Sequence, residues 1–137
     1  LRRGAPQGKD IRIADGKYAA YLATPPSNKA RKSTAVLFLP DIMGVWQNSR
    51  LLADEFAANG YLTLLLDTFN GDPIPVRSVE ADDVDIPAWL AGGSTGDNPH
   101  NEPAVDPIVK DAITVLKKEY GVKKLGAVGY CFGAKVS

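Results

Sequence analysis

Only one cysteine and one histidine occur in this sequence. A single thiol excludes an internal disulfide framework, and no Asn-x-Ser/Thr acceptor is present, so a cytoplasmic location is the default expectation. No charge of either sign prevails. Sixteen basic and sixteen acidic residues cancel, so nothing favours nucleic acid or an anionic membrane surface as a partner. The basic stretch from Lys29 to Lys32 reads as a solvated loop rather than a binding patch. No apolar run approaches a membrane span; Val36 to Leu39 and Leu64 to Leu66 are of strand length. There is no signal-peptide pattern, but the chain opens at Leu1 without methionine, so the true N-terminus is expected upstream.

What is present suits one globular domain: 137 residues, 45% hydrophobic and 23% charged. Ile11 and Ile13 alternate with polar neighbours, and Tyr18 to Leu22 follows after Asp15-Gly16. That pattern predicts an edge hairpin, closed by Thr24-Pro25-Pro26. Ala35-Val36-Leu37-Phe38-Leu39 is a continuous apolar run, as expected of a strand buried on both faces. Arg50 to Asn59 then reads as a helix, with Leu51, Leu52, Phe56 and Ala57 on one face and Gly60 as its cap. Tyr61 to Leu66 is a second apolar run. Strand, helix, strand in so short a span is a βαβ unit, which predicts an α/β fold with a parallel sheet. A third unit is expected to start at Asp106-Pro107, an N-cap residue followed by proline at the first helical position. Ile108, Val109, Ala112, Ile113 and Leu116 recur at helical spacing, Lys117 and Lys118 suit the last turn, and Gly121 follows as the cap. Leu125 to Val128 is the next strand. Between Asp67 and Val105 lies a connection long enough to be a lid or substrate-contacting segment, with a short helical turn expected at Ile86 to Leu90.

The last strand runs into Gly129-Tyr130-Cys131-Phe132-Gly133. A nucleophile held on a sharp strand-to-helix turn needs such glycines, because the backbone is strained there and neighbouring chain passes close. A given cysteine would find glycine at both two-away positions only about one time in a hundred by chance. The bland alternative is a buried structural thiol, packing as a small hydrophobe; the motif together with the preceding strand favours the nucleophile. A helix opening at Gly133-Ala134-Lys135 would lower the thiol pKa and stabilise the thiolate. The backbone N–H of Phe132 is where this architecture takes one oxyanion donor, and the second comes from the loop Pro40-Asp41-Ile42-Met43-Gly44.

The pairing of "LPDIMG" after one buried strand with "GYCFGAK" after a later one resembles the dienelactone hydrolase family, in particular its fungal-type members. "LADEFAANGYLTLLLDTFNGDP" between them carries the same resemblance, which covers the chain from about Gly8 to its end. It implies an α/β-hydrolase fold, a mostly parallel sheet with flanking helices, and cleavage of a small ester or lactone through an acyl-cysteine, with no metal or cofactor. Carried over residue by residue, Cys131 is the nucleophile and the N–H groups of Ile42 and Phe132 form the oxyanion hole. Asp41 stands where bacterial members carry a glutamate that hydrogen-bonds the resting thiol and takes its proton. The arginine with which those members hold a substrate carboxylate has no counterpart at Phe69-Asn70-Gly71; Arg77 lies nearby and is expected at the surface.

Acyl transfer by a thiol also needs a base and a group to orient it. In α/β-hydrolases these follow the nucleophile, and the chain ends six residues after Cys131. The only histidine, His100, stands upstream in a polar, Pro-rich loop, where exposure is expected and at most a contact with substrate. Residues 1–137 are therefore expected to be the N-terminal portion of one α/β-hydrolase domain, inactive alone, with the remaining C-terminal half as its partner. Two other readings stay open: a non-catalytic homologue binding a small molecule or a partner protein, and a redox-sensing thiol.

Overall fold

The computed structural model describes residues 5–41, 43–75, 78 and 85–129. Five strands and three helices are set out along them: β1 (Lys9–Ile13), β2 (Tyr18–Ala23), β3 (Thr34–Leu39), α1 (Gln47–Ala58), β4 (Leu62–Leu66), α2 (Ile86–Gly92), α3 (Glu102–Glu119) and β5 (Lys124–Gly129). The strands form one sheet in the order β1-β2-β4-β3-β5. β4, β3 and β5 are mutually parallel neighbours, while the β1–β2 hairpin joins the sheet antiparallel along β4.

The apolar runs make sense once both faces are seen to be covered. Leu64 and Leu66 pack with Leu37 and Leu39 against Ile108, Ala112, Val115 and Leu116 of α3. Leu65, between them, points the other way with Phe38 and Tyr21, against Ala53 and Ala57 of α1. Side chains alternate along a strand, so a strand with helices on both sides needs an apolar residue at every position. Each such leucine is worth about 1.5–3 kcal/mol relative to exposure. The Phe38 and Phe56 rings meet edge to face at 6.2 Å, locking α1 to the sheet.

The hairpin turns through Ala14 and Asp15 at φ 53° and 57°, steadied by Arg12 Nε donating to the Gly16 carbonyl at 2.8 Å. Its free end is clasped to α1. The Tyr21 hydroxyl donates to Asp54 Oδ1 at 2.7 Å, accepts from the Gly8 N–H, and Gln7 N–H reaches Asp54 Oδ2 at 2.9 Å. The basic stretch Lys29 to Lys32 is exposed, as expected of a solvated loop.

One helix begins earlier than its sequence signals. α3 starts at Glu102, not after Asp106; Asn101 is its N-cap, accepting from Ala104 N–H, and Pro107 lies inside. Asn101-Glu102-Pro103 offers the same start signal as Asp106-Pro107. The earlier start also brings Val105, fully buried, onto the face that carries Ile108 and Ala112. Burying it offsets the backbone hydrogen bond that Pro107 cannot make. Among the described residues no helix is long and apolar enough to cross a membrane.

Candidate active site

The parallel pairing of β3 with β5 sets the geometry. Their register matches Leu39 with Gly129, so both strands leave the sheet at the same edge, about 4.8 Å apart. Asp41 follows Leu39 by two residues. At this carboxyl end open α/β sheets bind ligands.

After Pro40 the chain turns at once. Asp41 Oδ1 accepts from Met43 N–H at 2.9 Å, and the Asp41 carbonyl accepts from Gly44 N–H at 3.0 Å. The Asp41 side chain thus bonds the backbone of its own loop, whatever else its carboxylate does. Burial raises the Asp41 carboxyl above its ordinary range; the Met43 bond opposes this without cancelling it. The Trp46 indole N–H, buried and outside hydrogen-bond geometry with any described acceptor, adds a weaker pull against the rise.

Gly44 closes the turn at φ +68°, and a Cβ there would lie 2.8 Å from Pro73 Cβ. Glycine is required twice over: for the left-handed backbone and for the approach of the loop that follows β4. That loop is self-organised. Asp67 accepts from Phe69 N–H at 2.9 Å and Gly71 N–H at 2.7 Å, bringing Asp72 and Pro73 back across the strand ends.

The long connection holds a small core of its own. Phe69, Ile74 and Trp89 are buried together, and α2, the helical turn expected at Ile86 to Leu90, supplies Trp89. His100 belongs to this core, and here the expectation of an exposed loop histidine fails: its exposure is 0%. Its ring lies 4.4 Å from Trp89 and 5.4 Å from Phe69, and Nε2 is 2.9 Å from Asp72 Oδ2. Local composition misled because the residues that bury His100 are about ten and thirty positions away. Burial alone would raise the Asp72 carboxyl, but hydrogen bonds from Ser94 and His100 outweigh it and hold it below the ordinary range. An ionised carboxylate only accepts, so His100 Nε2 carries the proton of this bond. Among the described residues His100 Nδ1, also buried, has no hydrogen-bond partner.

A cavity of about 460 Å³ opens beside the turn, lined by Arg12 of the hairpin, Val45, Arg50 of α1, Asp67 and Pro73. Arg50 is committed there to Asp10 at 2.9 Å and stacks over the Tyr21 ring at 5.1 Å. Asp41 does not line it, so the cavity flanks the strand ends rather than capping them. Of the residues expected to act, Cys131, Ile42 and Phe132 lie outside the described residues, as do Arg77 and the helix expected at Gly133-Ala134-Lys135.

The sequence matches the family model "Dienelactone hydrolase family" over residues 18–137. It is similar to Hydrolase pyvD of Aspergillus violaceofuscus, 38% identical over 136 residues that cover 98% of this chain and 50% of that protein. Dienlactone hydrolase 1 of Gibberella moniliformis is 34% identical over 142 residues, covering 99% and 50%. Among solved structures, m3DLH matches with a TM-score of 0.66 at 25% identity, over 95% of this chain and 51% of that one. A putative dienelactone hydrolase from Klebsiella pneumoniae subsp. pneumoniae shares the fold, with a TM-score of 0.64 at 22% identity over 95% and 52%. The chain therefore spans about half the length of the curated relatives it matches. Sheet order, flanking helices and these matches agree on an α/β-hydrolase fold, and the chain belongs to the dienelactone hydrolase family.

Proposed function

We propose that this chain is the N-terminal portion of an α/β-hydrolase domain that cleaves a small ester or lactone through Cys131. The observation that carries the reading is the parallel register of Leu39 with Gly129. Asp41 and Cys131 each stand two residues beyond one member of that pair, so a carboxylate and a thiol follow adjacent strand ends. Asp41, whose carboxyl sits above the ordinary range, takes the thiol proton as substrate binds. The thiolate attacks the carbonyl carbon, and the N–H groups of Ile42 and Phe132 stabilise the oxyanion. Collapse breaks the C–O bond to the alcohol oxygen, which leaves with a proton. Water then hydrolyses the acyl-cysteine to a carboxylic acid and restores the thiol. The histidine and acid that manage these protons are supplied by the remaining C-terminal half.

The test uses the full-length protein with p-nitrophenyl esters. Replacement of Cys131 by alanine is expected to abolish turnover, and intact-mass measurement during wild-type turnover should detect the acyl adduct on Cys131. Turnover that survives Cys131→Ala would refute the reading.

A further inference from the structure

His100 carries an arrangement that the proposed chemistry leaves unused. Its imidazole is fully buried, hydrogen-bonded through Nε2 to Asp72, and packed among Trp89 and Phe69. A desolvated hydrogen-bonded pair is weak support for stability, because the cost of burying its polar groups offsets much of the attraction; what such a pair can fix is geometry. The orphaned Nδ1 adds a further cost.

What the pair holds is the wall of the Asp41 turn. Asp72 precedes Pro73, and the Pro73 ring abuts Gly44 so closely that a Cβ there would come within 2.8 Å of Pro73 Cβ. The Phe69 ring, 5.4 Å from His100, also comes within 3.7 Å of that same Cβ position. Asp72 is pinned from four directions. Its N–H donates to the Phe69 carbonyl at 2.9 Å, its carbonyl accepts from Trp89 Nε1 at 3.0 Å, and its Oδ2 accepts from Ser94 N–H at 2.8 Å as well as from His100. Two short routes therefore lead from His100 to Gly44, one through Asp72 and Pro73 and one through Phe69. Gly44 N–H is in turn bonded to the Asp41 carbonyl.

We propose that His100 is a positioning residue: through Asp72, Pro73 and Phe69 it sets the lean of the 41–44 turn, and so the reach of the Asp41 carboxylate. This rests on the reading of Asp41 as the acceptor of the thiol proton. His100 touches no reacting atom; it acts on the turn alone.

A double-mutant cycle on the full-length enzyme tests this. His100→Gln is expected to lower kcat about 10- to 100-fold with KM within about twofold, since misplacement of a catalytic group costs rate rather than affinity. The isosteric Asp72→Asn, which can keep the bonds to Ser94 and His100 only in weaker, neutral form, is expected to fold normally and to lower kcat in the same sense, but less. In an Asp41→Asn background both losses should nearly vanish, because the group they position is gone. A merely structural role would lower the melting temperature and act equally in both backgrounds. Cys131-dependent turnover that both variants leave unchanged, or lower equally with and without Asp41, overturns the proposal alone; full turnover by Asp41→Asn removes the role of Asp41 on which it rests, and the proposal with it. Turnover that survives Cys131→Ala removes the underlying reading and the proposal with it.

Discussion

Gly44→Ala is the most direct probe of the contact between the Asp41 turn and the loop after β4. Two costs can be read from the structure. At φ +68° an alanine pays about 1–2 kcal/mol for the left-handed backbone. Its methyl group would also sit 2.8 Å from Pro73 Cβ, and overpacking of this kind costs about 1–3 kcal/mol. The chain has two ways to respond. If the turn holds its shape, the full-length protein should lose about 2–5 kcal/mol of stability. If the turn moves away from Pro73, stability recovers in part and kcat falls instead. The Gly71→Ala control separates the terms. Gly71 has φ +74° with nothing within 4 Å of its Cβ position, so only the backbone cost of about 1–2 kcal/mol applies. Urea titration followed by circular dichroism, alongside steady-state ester hydrolysis, reads both responses. A Gly44→Ala protein within about 0.5 kcal/mol of the Gly71→Ala protein and with wild-type kcat would refute the argument.

Two further outcomes follow from titrating groups. On the proposed chemistry Asp41 must be ionised to take the thiol proton, and its carboxyl lies above the ordinary range. The acid limb of the kcat/KM profile should therefore fall at a higher pH than for an ordinary aspartate, and Asp41→Asn should remove that limb while lowering the rate. An acid limb unchanged in Asp41→Asn assigns it elsewhere. Burial, and then the bond to Asp54, push the Tyr21 hydroxyl up to about 12. The folded state thus holds the phenolic proton more tightly than the unfolded chain does. The resulting stability is complete below about pH 10 and is lost as pH rises toward 12. Tyr21→Phe should cost about 1.5–3 kcal/mol at neutral pH, the worth of a hydrogen bond to a charged group, and flatten that alkaline slope in thermal denaturation. An equally steep slope in the variant would contradict the assignment.

How much of this could be read in advance depended on how local the deciding interactions are. The hairpin and the βαβ unit were legible because periodicity records burial residue by residue. Leu64, Leu65 and Leu66 had to be apolar in succession once helices covered both faces. The start of α3 was not legible. Two Asx-plus-proline signals stand five residues apart, and only the burial of Val105 in the assembled core chooses between them. His100 was misread for the same reason. Its neighbours in sequence are polar, while the groups that enclose it, Phe69, Asp72 and Trp89, come from distant parts of the connection.

Asp41 lies between these cases, and its side-chain length explains why its surroundings matter. The sequence marks the position by its place after a buried strand, and the fold brings that strand end beside the end of β5. Aspartate is one methylene shorter than the glutamate that the family resemblance implies for bacterial members there, and one of its oxygens is already bonded to Met43 N–H. A glutamate can adjust its reach through an extra rotatable bond; an aspartate reaches only as far as its backbone leans. On the proposed chemistry, the task of aiming the carboxylate therefore passes from the side chain to the turn. From the turn it passes to what the turn rests on: a glycine with no room for a methyl, a proline ring against it, and behind the proline an aspartate held by a buried histidine.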